Sequence, residues 1–436
     1  MSILSFTDKK ISLILVTWIL FSSLFSLPIK GITGNRILGS SMYFIFEILL
    51  LTFLLIRNSI TKNIRISNFD IPFLLYLFYG IFQLMWSYLN NNGLYQIIYD
   101  YRRFYFSVLF YLVIRQYLTY YPSIIPKVKK VLFFVIILTV AELYFEFIYG
   151  IIFQLDINKI PWISLMQNIR EEVGAAPWTL AFRMISIFPY PHNASLISAA
   201  GCLLFLLEYK ISRKYVFKWL SIICFFGILL GGGRTFYISI FLAFIYLSFF
   251  DPKIKKTFLI IVFLTSVCLI FFMNTFLDLL VINKFIEGII AFFVAYDLDY
   301  GINFFIISEG PTLQKLIYFL FGSGLGEIVE LSKRYAYIGI YGMEWRVFQL
   351  LFQYGAVFII ILGNIFLNVF KQKNQDIHII YYKVIILQFL MSLPHYMEIY
   401  TFGVFQVFLT IYALFTLHIY HISNGSNSNK YKQLAY

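Results

Sequence analysis

The sequence predicts an all-α, polytopic integral membrane protein of about twelve transmembrane helices, with two long outer-face loops that carry short helices. Three observations predict it. Hydrophobic residues make up 61% of the 436 and charged ones only 13%, too apolar a balance for soluble domains of this length. Apolar runs of about 20 residues recur from end to end, the length that hydrocarbon thickness demands of a spanning helix. Every second connector between those runs is basic, as the cytoplasmic connectors of a membrane protein are.

The first run, Ile11 to Leu27, follows Lys9 and Lys10 as the apolar stretch of a signal peptide would. No small-x-small cleavage site follows it, so it reads as the first spanning helix. Further apolar segments at 40–56, 71–89, 104–121 and 131–153 complete an N-terminal group of five helices over 1–153. A long loop, 154–192, precedes helices at 193–209, 216–231, 235–250 and 257–277, the group 193–277. A second long loop, 278–346, precedes helices at 347–370, 379–393 and 397–418, the group 347–418, and 419–436 is a polar tail. Within the second loop, 285–296 offers about 12 apolar residues, too few to span, and reads as interfacial or re-entrant.

With the amino terminus inside, RNSITKNIR, PKVKK, EYKISRK, DPKIKK and KQKNQ all face the cytoplasm, as does NKYKQ in the tail. About 21 of the 34 Lys and Arg then lie inside, and most of the others sit in the two long loops, where the positive-inside rule counts least. Both termini are therefore expected in the cytoplasm. The net charge of +13 is accounted for by the bilayer as partner, with no nucleic acid required. Trp162, Trp178 and Trp345 at the outer loops and Trp219 at an inner helix end suit interface anchors. Cys202, Cys224 and Cys268 fall inside apolar runs and read as small core residues, not as a disulfide framework or metal ligands.

The outer loops hold most of the polar chemistry. In LLGGGRTFYIS (229–239) the glycines allow a tight turn with exposed N–H groups, a helix starts near Thr235, and Arg234 adds a forked donor. Together these favour a phosphate, although an arginine that snorkels to lipid headgroups fits the same letters. Arg183 is either the second arm of a diphosphate clamp or an interface anchor paired with Glu171 or Glu172. In PYPHN (189–193) the prolines fix an extended approach, Asn193 can cap the following helix, and His192 is either a base or a structural hydrogen-bonder.

FGSGLGE (321–327) is a glycine-rich turn. In YGMEWRVFQLLFQYG (341–355), Glu344 and Arg346 flank Trp345 at a helix mouth. The carboxylate can accept a hydroxyl proton and the indole can stack on a sugar ring; a capping acid beside an interfacial tryptophan is the plainer reading. His395 and Glu398 occupy the last outer turn. Glu47, Glu142 and Glu146 would be costly against lipid and are expected to face the bundle, as interhelical hydrogen-bonders or as a proton path.

The helix count, an outer-loop arginine followed by a PHN helix start, the GGGRT turn opening the eighth helix, and a late loop running FGSGLGE then MEWRVFQLLFQYGAVFI resemble the bacterial O-antigen polymerase and O-antigen ligase superfamily over 170–370. The resemblance implies a glycosyltransferase at the outer face of the bacterial cytoplasmic (inner) membrane. It acts on oligosaccharide linked to undecaprenyl diphosphate and uses no nucleotide sugar, metal or other cofactor. Arg183 and Arg234 would then serve the diphosphate, with Gly232, Gly233, Thr235, His192, Asn193, Trp345, Arg346 and His395 around the substrate.

Ligases of the superfamily carry a His-Asn pair in the late loop, whereas this chain has GMEWR, closer to the Glu-aromatic pattern of polysaccharide polymerases. Glu344 becomes the candidate base. The product would be O-antigen of lipopolysaccharide, capsule or exopolysaccharide, and the implied partners are a flippase and a chain-length regulator. Two other classes stay open: ligase-type glycan transfer, and a lipid-linked oligosaccharide flippase or other transporter, which needs charged sites near the bilayer midplane.

Overall fold

The computed structural model describes residues 66–90, 93–153, 191–231, 234–250, 312–325, 346–373, 376–392 and 404–423, with isolated positions before 57 and between 155 and 160. Among the described residues every regular element is helical. The α-helices are α1 (Ile71–Leu89), α2 (Leu94–Tyr101), α3 (Val108–Tyr120), α4 (Ile125–Phe147), α5 (Pro191–Ser212) and α6 (Tyr215–Gly231). They continue with α7 (Arg234–Phe250), α8 (Thr312–Phe321), α9 (Arg346–Phe370), α10 (Ile377–Ser392) and α11 (Val404–Ser423). Among the described residues four apolar stretches, Ile71–Leu89, Pro122–Gly150, His192–Ser212 and Gln353–Phe370, are long enough to cross a membrane. The expected segment 257–277, Glu47, Cys268, Trp162, Trp178 and the stretch 285–296 lie outside the described residues, and of the expected segment 40–56 only isolated positions from 48 to 56 are described, all helical.

Helical periodicity explains how α1 sits. Phe73, Tyr76, Tyr79, Gly80, Gln83 and Ser87 recur every three or four residues and are buried. Leu75, Phe78, Phe82 and Met85 line the opposite side and are exposed. A stripe of large apolar side chains turned outward is unfavourable against water and suits lipid. The same outward display recurs on α4 (Phe134, Ile137, Phe145) and α6 (Trp219, Ile223, Phe226, Leu229).

One side of the bundle is α4, α5 and α6, packed antiparallel in a settled register. Lys129 of α4 meets Glu208 of α5 at 2.6 Å, and the Phe133 and Phe205 rings stand 5.1 Å apart. Between α5 and α6, the Ser221 hydroxyl donates to the Cys202 carbonyl at 2.7 Å and the Ser195 hydroxyl to the Ile228 carbonyl at 3.3 Å. Small residues make this closeness possible: a Cβ on Gly201 would stand 2.4 Å from Ile136 of α4. Cys202 and Cys224 are buried in this seam, as core residues.

The other side is α1, α3, α9 and α11, filled with aromatic rings. Phe73 packs on Tyr111 and Tyr412, and Tyr76 on Tyr105 and Phe358. The two sides are joined by α10, which packs on α5, α7 and α11. Its Phe389 lies against Phe408, and its His378 against His418 with ring centroids 4.6 Å apart, so α10 and α11 are antiparallel.

Tracing these contacts assigns the helix ends. Leu89, Phe147, Pro191, Gly231, Arg234, Arg346, Ser392 and Val404 fall at one end, here the Pro191 end. Asp70, Ile125, Ser212, Phe370 and Ile377 fall at the other, the Asp70 end. Lys127, Lys129, Lys130, Lys210, Arg213, Lys214, Lys371 and Lys373 all belong to the Asp70 end. Its innermost feature is a buried polar knot. Arg115 pairs with Asp70, which also accepts from Tyr111 at 2.9 Å and from the Ser67 backbone at 2.6 Å. These contacts satisfy charges that would otherwise be prohibitive in an apolar interior.

Two elements differ from expectation. The sequence places a helix start at 104, after the polar Asp100 and Arg102, whereas helix runs from Leu94 through a π-helical turn at Arg102–Phe106. Asp100 is tolerated because it is buried against the Gln353 amide, which donates to it at 3.4 Å. Second, α9 is not one rod: Gly355 has φ 79° and ψ 172°, which breaks the helix. Only glycine adopts that backbone readily.

Candidate functional site

The Pro191 end gathers most of the sequence-derived candidates that the structure describes. Pro191 opens α5 and its missing N–H is one the first turn does not need. His192 and Asn193 are therefore inside the helix and both buried, so Asn193 does not cap it. Three residues beyond the end of α6, Arg234 opens α7, followed by Thr235. Arg346 opens α9 at the same end. The starts of α5, α7 and α9 thus point their unsatisfied N–H groups to one end of the bundle, which favours negative charge there. Arg183, Gly232, Gly233, Glu344, Trp345 and His395 lie outside the described residues.

The α4–α5 register adds a carboxylate. Lys129 pairs with Glu208, Phe133 with Phe205, and Ile136 with Gly201, so each step up α4 is a step back along α5. Extending that register brings Glu146 to the first turn of α5, on the same stripe of α4 as Ile136 and at the level of His192. Glu146 is fully buried. The sequence marked it only as a bundle-facing acid; its place beside the PHN turn required the packing.

Two amides are also buried toward this end. Ser195, Gly201, Cys202, Phe205 and Glu208 face α6 or α4, and Asn193 falls off that stripe. On α10, His378 and Phe389 face α11, while Gln388 shares the stripe of Tyr381 and lies two turns from it toward the Pro191 end.

Asn193 and Gln388 are 0% and 1% exposed, and among the described residues neither the oxygen nor the nitrogen of either amide has a hydrogen-bond partner. Each such orphaned buried group costs about 1–3 kcal/mol. The sequence signal for Gln388 was an amide inside an apolar run, a feature not singled out beforehand.

The glycine-rich FGSGLGE turn is held by protein. Trp86 of α1 donates its indole N–H to the Gly322 carbonyl at 2.9 Å, Asn90 donates to Ser323 at 3.2 Å, and the Leu325 N–H donates to the Ser87 hydroxyl at 2.6 Å. The same unit repairs the break in α9. The Gly324 N–H donates to the Gln353 carbonyl at 2.9 Å, and the Tyr79 hydroxyl donates to the Tyr354 carbonyl. Gln83 ties both pieces by donating to the Phe321 carbonyl at 2.6 Å and to the Tyr79 hydroxyl at 2.7 Å. Residues 321–325 thus form a buttress that fixes the first half of α9, and Arg346 with it, at the Pro191 end.

No protein-family model, curated protein or solved structure matches the chain.

Proposed function

We propose that the protein is a glycosyltransferase that polymerises undecaprenyl-diphosphate-linked oligosaccharide repeat units into a surface polysaccharide at the outer face of a bacterial cytoplasmic membrane. The observation that supports the reading is that three helices, one opened by Arg234, start at the same end of the bundle as buried His192, Asn193 and Glu146, remote from the lysine-rich end. The positive-inside rule puts the lysine-rich end in the cytoplasm and the polar site outside.

In the reaction, a hydroxyl oxygen of a fresh lipid-linked unit attacks the anomeric carbon of the growing chain. The bond from that carbon to the diphosphate oxygen breaks, and undecaprenyl diphosphate leaves with the electron pair. Arg234, Arg183 and the helix starts stabilise the charge that develops on the leaving group. The hydroxyl proton passes to a carboxylate, which the sequence assigns to Glu344; Glu146 is the carboxylate that the packing brings to the PHN turn.

A transporter reading needs charge near mid-bundle, whereas Glu142 and Glu146 occupy the last two turns of α4, at the Pro191 end. The test is to supply purified wild-type protein and Arg234→Ala with lipid-linked repeat units and to resolve product lengths. A ladder from wild type, reduced at least about 100-fold in a folded Arg234→Ala protein, is expected. An undiminished ladder from the variant removes Arg234 from the mechanism, and no ladder from wild type removes polymerisation.

A further inference from the structure

We propose that the start of α6 is a docking surface for an anionic phospholipid of the leaflet at the Asp70 end, with Arg213, Lys214 and Lys218 on its phosphate and its chains along the lipid-facing stripe above them. The inference does not depend on the glycosyltransferase reading. Three cations fall within six residues, all of them exposed, and among the described residues no carboxylate pairs with any of the three. Lys129 at the same end, by contrast, is compensated by Glu208.

One face of α6 carries the rest of the footprint. Lys214 and Lys218 are four apart, so one stands above the other, and the exposed Tyr215 and Trp219 form the adjoining column. Toward the Pro191 end the same face continues as exposed Phe226 and Leu229, while Ser221, Cys224 and Ile228 turn inward. Charge, then aromatic rings at interface depth, then hydrocarbon is also the order of groups along a phospholipid and its interface.

Two local costs mark this turn. Arg213 donates its N–H to the Tyr209 carbonyl at 2.8 Å with φ 58°, and is the one non-glycine residue with positive φ among the described residues. Glycine adopts that conformation after a helix more easily. Lys214 and Lys218 flank the first turn of α6, whose unsatisfied N–H groups disfavour cations. The fold alone gains from neither placement, whereas a phosphate compensates the cations and accepts from that turn as well. A zwitterionic headgroup brings its own cation to the same place and gains less.

The experiment is native mass spectrometry of the full chain in a neutral detergent, titrated with phosphatidylglycerol or phosphatidylcholine of matched chains, which gives the affinity of the first bound lipid. Wild type is expected to favour phosphatidylglycerol at least about tenfold, and Lys214→Gln, Lys218→Gln and Arg213→Gly each to weaken that lipid about fivefold. Arg213→Gly is also expected to hold or raise the unfolding temperature without lipid, because glycine relieves the backbone, so its lost affinity is not misfolding. Lys371→Gln, just beyond α9 at the same end, is expected to leave the affinity unchanged.

Equal affinity of wild type for the two lipids overturns the proposal and leaves an acidic protein segment as the partner of these cations. Unchanged phosphatidylglycerol affinity in the three variants of this turn overturns it as well. So does a loss of the same size in Lys371→Gln, since the whole basic end would then attract anions as a diffuse field.

Discussion

At Asp376, between α9 and α10, partial burial alone would raise the carboxyl's pKa. The hydrogen bond with His418 at 2.6 Å and the nearby His378 outweigh it and hold the group below the usual carboxylate range. A depressed carboxylate stabilises the fold above its unfolded value and loses that contribution as pH falls through its folded one. The unfolding temperature of Asp376→Asn should therefore lie below wild type near pH 6, and the gap should close as the pH drops below about 4. A gap that persists in acid would mean that the pair contributes through shape and not charge. Single residues were unevenly legible. The helix start at Arg234 was readable because three glycines before an arginine interrupt the apolar run. Asp70 and Arg115 were not, because 45 positions separate them and only folding makes them a pair.

Among the elements, α9 shows where reading letters stops. LFQYGAVFII looks like uninterrupted helix, since one glycine in an apolar run is compatible with a straight rod. The break becomes visible only when Leu320 and Gly322 are packed against it: a Cβ on Gly355 would stand 2.2 Å from the Leu320 carbonyl oxygen. Gly355→Ala should cost about 1–3 kcal/mol from backbone strain alone, with the clash added. Chemical denaturation in detergent checks this, and a change within error would show that the helix straightens without loss. Long apolar runs such as 71–89 and 216–231 were legible because burial and span length impose their own period and extent. The start of α3 was not, because Asp100 and Arg102 look like loop residues until Gln353 is seen to receive one of them.

For the whole molecule, an all-helical chain with membrane-spanning stretches followed from composition and run length, while the convergence of α5, α7 and α9 at one end did not. The packing that brings α5 and α7 to one side runs through α10, which is remote from both in sequence. Sidedness can be read directly with a membrane-impermeant maleimide. In a background without native cysteines, Gly93→Cys, at an open position of the Pro191 end, should label in intact cells, and Lys214→Cys only after permeabilisation. The reverse pattern would put the polar site in the cytoplasm and end the polymerase reading. The interrupted α9 also bears on the lipid around it. Ala356 to Phe370 spans about 22 Å, against a hydrocarbon core of about 30 Å. Crossing that core needs residues before Gly355 as well, which puts the break within the span. Irregular backbone inside a span is tolerated where protein satisfies its freed groups, as residues 321–325 do here.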